Sequence, residues 1–127
     1  MLWVWKQLLY LRRPALLFHM REVIDENDLT SILRDCEKVF VLFYGSWCPF
    51  CRDFLPFFEE CLRKKHEKFF GVGLDDEMNP LWERYNVEVV PTVILFGGER
   101  VLKRLDGVSG VGLGERQLEE FLEGISA

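Results

Sequence analysis

The chain has 127 residues, of which 49% are hydrophobic and 29% charged, and its formal net charge is −5. That length suits one domain with its own core and is too short for two ordinary ones, while the acidic balance excludes a broad cationic surface for nucleic acid. Four cysteines, Cys36, Cys48, Cys51 and Cys61, are too few and too unevenly spaced for the disulfide framework of a small secreted domain, so a cytoplasmic protein is expected.

The first twenty residues, MLWVWKQLLYLRRPALLFHM, are apolar but broken by Lys6, Arg12, Arg13 and Pro14. The breaks leave less than the roughly 18 to 20 uninterrupted apolar residues of a membrane span, so no transmembrane helix is expected. Arg12 and Arg13 split the apolar residues rather than precede them, and no small-residue cleavage site follows, which argues against a secretory signal. Residues 1–20 read as an N-terminal extension: a helix resting on the domain or on a membrane surface through Trp3, Trp5, Leu8 and Leu9, or a stretch upstream of a start at Met20.

Beyond it the apolar periodicity alternates between strand and helix, as in an α/β domain with a central sheet. A short first strand falls near Leu17 to Val23, and DLTSILRD (28–35) reads as a helix capped by Asn27. Val39 to Tyr44, an unbroken β-branched and aromatic run, predicts a central strand covered on both faces. Gly45, Ser46 and Trp47 end it, and from near Pro49 a helical stripe sets Phe54, Phe57, Phe58, Cys61 and Leu62 on one face. Phe69 to Leu74 predicts a strand, Asn79 and Pro80 open a short helix to Tyr85, and Thr92 to Phe96 predicts another strand. Gly97 and Gly98 turn the chain into Arg100 to Leu105, an edge strand with Lys103 and Arg104 expected on its solvent face. The glycine-rich run in GVSGVGLGERQ lacks a complete phosphate-binding fingerprint and is expected to be a flexible connection to the last helix, Glu115 to Ile125.

The pair Cys48 and Cys51 stands where a strand gives way to a helix. Unpaired N–H groups and the positive dipole end of a helix favour a thiolate at the first position, which makes Cys48 the attacking sulfur. Cys51, one turn further in, can close a disulfide on Cys48 and release a captured partner. Pro49 suits the first helical turn, and Trp47 and Phe50 offer an aromatic rim. The same spacing is also half of a zinc or iron–sulfur site, but neither His19 nor His66 stands at a matching paired spacing, so no metal and no bound cofactor are expected. Cys61 is expected to pack as a buried, inert thiol. His66 is expected at the surface.

FYGSWCPFC ahead of a helix containing Pro56, then YNVEVVPTVILFGGERV, then DGV before a final amphipathic helix, together resemble the thioredoxin family from about Arg21 to Ala127. The resemblance implies a thioredoxin fold over 21–127: a central mixed sheet of four to five strands flanked by helices on both faces. It also implies a cis bond between Val90 and Pro91, where the residues alone suggest an ordinary trans proline opening a strand. Carried over, the catalytic pair is Cys48 and Cys51, and the substrate groove comprises Trp47, Pro49, Phe50, Val90, Pro91 and Gly107. In the implied fold, Cys36 and Cys61 lie on opposite sides of the sheet and do not pair.

The implied activity is thiol–disulfide exchange with protein disulfide or dithiol substrates by a monomer, with electrons from a separate reductase. Two departures stand out. Leu42 occupies the position of the family's usual buried aspartate and Gly73 that of its usual lysine, which leaves Asp75 or water as acceptor for the resolving proton. The Pro-Phe dipeptide resembles that of glutaredoxins, which implies a more oxidising couple and raises the alternative of a glutathione-dependent enzyme. A binding module with idle cysteines is the other alternative.

Overall fold

The computed structural model describes residues 20–125. The expectations for the N-terminal extension before Met20 and for His19 lie outside the described residues.

The elements follow in the order β1 (Arg21–Glu22), α1 (Glu26–Asp35), β2 (Val39–Tyr44), α2 (Pro49–Lys64), β3 (Phe69–Gly73), α3 (Leu81–Arg84), β4 (Thr92–Gly97), β5 (Arg100–Leu105) and α4 (Glu115–Glu123). They form a five-stranded sheet in the order β1-β3-β2-β4-β5. β2 runs parallel to β3 and antiparallel to β4, so the sheet is mixed as expected.

All six residues of β2 are buried, because helices cover both faces of the sheet. On one face, Phe40 meets Phe121 of α4, and Phe58 of α2 packs edge-on against Phe69. On the other, Phe43 and Phe96 pack against Tyr85 at the end of α3, and Arg84 reaches Glu26 of α1 at 3.3 Å. Phe40, Phe43, Phe58 and Phe96 are fully buried, and each contributes about 1.5–3 kcal/mol of apolar transfer free energy. This two-sided cover encloses β2, so the loop at its C-terminal end, which carries the cysteine pair, starts from a strand buried along its whole length.

Local sequence explains three departures from expectation. The cap of α1 is Asp25, not Asn27: its carboxylate accepts from the Asp28 N–H at 2.8 Å while Asp28 accepts from the Ile24 N–H at 2.9 Å. Three neighbouring cap-competent residues compete, and the reciprocal pair two positions earlier wins. Lys103 and Arg104 do not share a solvent face. As neighbours in a strand they point to opposite sides, Lys103 over the Phe121 ring at 5.2 Å and Arg104 into the carbonyls of Tyr85 and Asn86. Cys61 is half-buried rather than fully enclosed.

Candidate active site

Helix α2 begins where β2 has delivered the chain, and Cys48 is its N-cap residue. The Cys48 Sγ accepts the Cys51 backbone N–H at 3.2 Å, so the sulfur itself satisfies one of the helix's unpaired donors. Pro49 occupies the first helical turn, where it sacrifices no hydrogen bond. The Cys48 thiol faces the Val90 carbonyl at 3.8 Å. Both cysteines are free thiols, with Cys48 2% and Cys51 1% exposed.

These surroundings separate the two sulfurs chemically. Burial pushes the Cys51 thiol well above the ordinary range; its hydrogen bond to Cys48 pushes the same way, the Gly45 backbone opposes, and the charges of Cys48 and then Asp75 add the smallest upward effects. Cys51 therefore keeps its proton at neutral pH. The Asp75 carboxylate is fixed by the Ser46 N–H at 2.7 Å, which ties the loop after β3 to the loop that bears Cys48.

Opposite the pair, the Val90–Pro91 peptide bond is cis, as the family resemblance implied and the residues alone did not. Three contacts hold this segment. Thr92 Oγ1 donates to the Val89 carbonyl at 2.6 Å and accepts from the Gly107 N–H at 3.3 Å. Gly107 lies so close to Pro91 that a Cβ would collide with the Pro91 carbonyl, which explains why glycine stands there. The Arg104 guanidinium donates to the carbonyls of Tyr85 at 2.7 Å and Asn86 at 3.1 Å while paired with Asp106 at 2.7 Å. Arg104 gave no sequence signal for this role, because its partners lie 18 and 19 residues away.

The residues expected to form the groove thus come together around Cys48. Trp47, Pro49 and Phe50 are exposed on the helix side, Val90 and Pro91 are buried on the facing side, and Gly107 is half-buried behind them. The two departures acquire a physical setting. Leu42 is fully buried in the core, and the Tyr44 ring lies across Gly73, its hydroxyl 3.6 Å from where a Cβ would stand. A side chain at 73 would have to share that space with the ring.

A thiol that caps a helix, a second thiol one turn behind and a proline segment facing the first define a dithiol–disulfide exchange site on a mixed α/β sheet. A family model described as thioredoxin matches residues 20–123. The chain is 34% identical over 105 residues to the thioredoxin of Mycoplasmoides gallisepticum, covering 82% of this chain and 100% of that one. It is 29% identical over 106 residues to the bifunctional thioredoxin reductase/thioredoxin of Mycobacterium leprae, covering 83% of this chain but spanning only 23% of that protein. A solved structure of Plasmodium falciparum thioredoxin superimposes with a TM-score of 0.71 at 24% identity, covering 84% of this chain and 100% of that one. The chain belongs to the thioredoxin family, and it is a thiol–disulfide oxidoreductase. Among the described residues, no helix is long and apolar enough to cross a membrane.

Proposed function

We propose that Cys48 is the nucleophile and Cys51 the resolving thiol of a cycle in which protein disulfides are reduced. The observation that carries this reading is the Cys51 N–H held 3.2 Å from the Cys48 sulfur at a helix N-terminus, where a thiolate gains most. The Cys48 thiolate attacks one sulfur of a substrate disulfide, forming a mixed disulfide and expelling the other sulfur, which takes up a proton. Cys51 then loses its proton to Asp75 or solvent and attacks Cys48, releasing the substrate as a dithiol. The substrate has gained two electrons and two protons; the Cys48/Cys51 dithiol has supplied the electrons and released two protons in turn, and it is left as the Cys48–Cys51 disulfide. A separate reductase restores the dithiol, with no bound cofactor in this chain.

Trp47, Pro49, Phe50, Val90, Pro91 and Gly107 form the substrate groove, an assignment supported by their convergence on Cys48. The domain covers 21–127, acts as a monomer and works in the cytoplasm, the last a reading supported by cysteine usage alone. Because the residues between the cysteines tune thiolate stability, and Pro49-Phe50 resembles the glutaredoxin dipeptide, the couple is more oxidising than ordinary thioredoxin, above about −270 mV. A redox titration against a glutathione buffer tests this; a potential at or below that value contradicts it. Insulin reduction and glutathione-dependent assays run side by side separate protein disulfide exchange from the glutaredoxin-like alternative. A thiol exchange too slow to matter in both would favour a binding module.

A further inference from the structure

Two alternate residues of β3, Gly71 and Gly73, carry no side chain, and they lie on the face of the sheet that α2 covers, since Phe69 on that face packs against Phe58. The register sets Leu42 and Tyr44 of β2 beside them on one side and Glu22 of β1 beside Gly71 on the other. Neighbours fill the strip the glycines leave: a Cβ on Gly71 would meet Met20 Cε at 2.5 Å and Tyr44 Cε1 at 3.1 Å, and one on Gly73 would meet the Tyr44 hydroxyl at 3.6 Å. None of these positions supplies a cation.

The alternation continues past the strand. The Leu74 N–H still donates to the Tyr44 carbonyl at 2.7 Å, and Leu74 is buried on the opposite face, so Asp75 follows Gly71 and Gly73 on the α2 side. There the Ser46 N–H fixes its carboxylate at 2.7 Å. The Asp75 charge reaches Cys51 of α2 in one direction and Glu22 of β1 in the other; burial is the first cause that pushes each of them up, and Asp75 adds to it. Arg21, the cation next to Glu22, turns to the other face, over the Phe70 ring at 5.6 Å and onto Asp28 at 3.1 Å. Glu22 itself is exposed on the edge strand, open to proton exchange with water. Two carboxylates that feel each other's charge bind a first proton more tightly than one alone.

We propose that Glu22 is a positioning residue for the resolving step: with Asp75 it forms a carboxylate pair that takes the Cys51 proton and passes it to solvent at the edge of the sheet. This rests on the dithiol reading above and deepens it by naming the residue behind the acceptor. The Cys51 S–H bond breaks and its proton goes to Asp75. The electron pair left on sulfur forms the Cys48–Cys51 bond as the bond between Cys48 and the substrate sulfur breaks, and the departing substrate thiolate takes a proton from solvent, which recovers one from the pair. Glu22 acts through Asp75: its charge makes that carboxylate a stronger acceptor, and transfer from a thiol of high proton affinity gains from a stronger acceptor. A carboxylate pair reached from the sheet edge thus does the work that a buried carboxylate at Leu42 would otherwise do.

The test follows one peptide disulfide by stopped flow, resolving formation of the mixed disulfide on Cys48 from its release by Cys51. Glu22→Gln should slow release at least about threefold near pH 7 while formation stays within about twofold, and Glu22→Asp should restore most of the release rate. Compared at equal Cys51 thiolate fraction, adding Glu22→Gln to Asp75→Asn should slow release no further, because the two side chains act as one unit. A second measurement does not depend on rates: the carboxyl carbon NMR titration of Glu22 should lie above that of an ordinary glutamate in the unmodified protein and move down toward it in Asp75→Asn. Release at the unmodified rate in Glu22→Gln, a further slowing in the double variant, or a Glu22 titration that ignores Asp75→Asn would each overturn the inference. Failure of the unmodified protein to form any mixed disulfide on Cys48 would instead remove the dithiol reading beneath it.

Discussion

Cys48 and Cys61 belong to the two ends of one helix, and the helix treats them in opposite ways. Cys48 caps the start of α2, accepts the Cys51 N–H, and has no acidic side chain in the first turn beside it. Cys61 lies in the last turn, half-buried, and its thiol is pushed up by burial and then by the charges of Glu119 and Glu60, with Glu115 adding to them and Lys64 opposing. The residue type is the same. What differs is which end of the backbone dipole it meets and which neighbours it faces, so reactivity here is a property of position.

The largest expected effect breaks the comparison at its active end. Cys48→Ser should reduce single-turnover exchange with a peptide disulfide by at least about a thousandfold, whereas Cys61→Ser should leave it within about twofold. A Cys48→Ser protein that retained exchange would remove the distinction between the two ends.

Next comes the pH dependence of the resolving step. Because burial raises the Cys51 pKa, its thiolate fraction at neutral pH is small and grows as pH rises, so release of a mixed disulfide from Cys48 should accelerate roughly tenfold per unit between about pH 6 and 9. Stopped-flow release measured across that range checks the slope. Asp75→Asn sharpens it: the lost charge lowers the Cys51 pKa and moves the profile to lower pH, while slower release at equal thiolate fraction would assign the proton to the Asp75 carboxylate.

A smaller effect concerns the facing half of the site. Arg104→Ala leaves the carbonyls of Tyr85 and Asn86 without their guanidinium donor and should cost about 1–3 kcal/mol in urea denaturation. Exchange with a protein substrate should also fall, with the redox potential unchanged, because Arg104 touches the segment before Pro91 and neither cysteine.

The two halves of the site also differ in how legible they were. The strand-to-helix junction is local: a β-branched run, two small residues, a cysteine and a proline at N1 specify it within a dozen positions, and β2, α2 and the role of Pro49 follow from that run. The facing half is assembled from distance. The cis bond at Pro91 was suggested only by the family resemblance, the Arg104 clamp joins β5 to the end of α3, and the glycine-rich run expected to be flexible closes instead through a Val108–Gly112 bridge set against Phe50, about sixty residues earlier. Periodicity reports which face of an element is buried but not which distant carbonyl an arginine will meet, so Arg104 read as a solvent-facing residue. For Cys61, helical spacing predicts the inner face, whereas the buried stripe of α2 runs through Phe54, Leu55, Phe58 and Leu62 and leaves Cys61, with Phe57, half-buried on its flank.

The smallest effect tests the quiet end of the helix. Glu119 is the largest electrostatic influence on Cys61, acting in the same direction as burial, so Glu119→Gln should lower the Cys61 pKa and enlarge its thiolate fraction. Alkylation by iodoacetamide near pH 8, followed by mass spectrometry of the Cys61 peptide, should then quicken about two- to threefold, and Lys64→Gln should slow it. Because these charges stand at a partly solvated surface, the difference should shrink in about 1 M salt, where the screening length falls to about 3 Å, whereas an effect of burial alone would survive it. A salt-independent difference would mean that Glu119 acts on Cys61 by packing, and the contrast between the two ends of α2 would then be one of enclosure rather than charge.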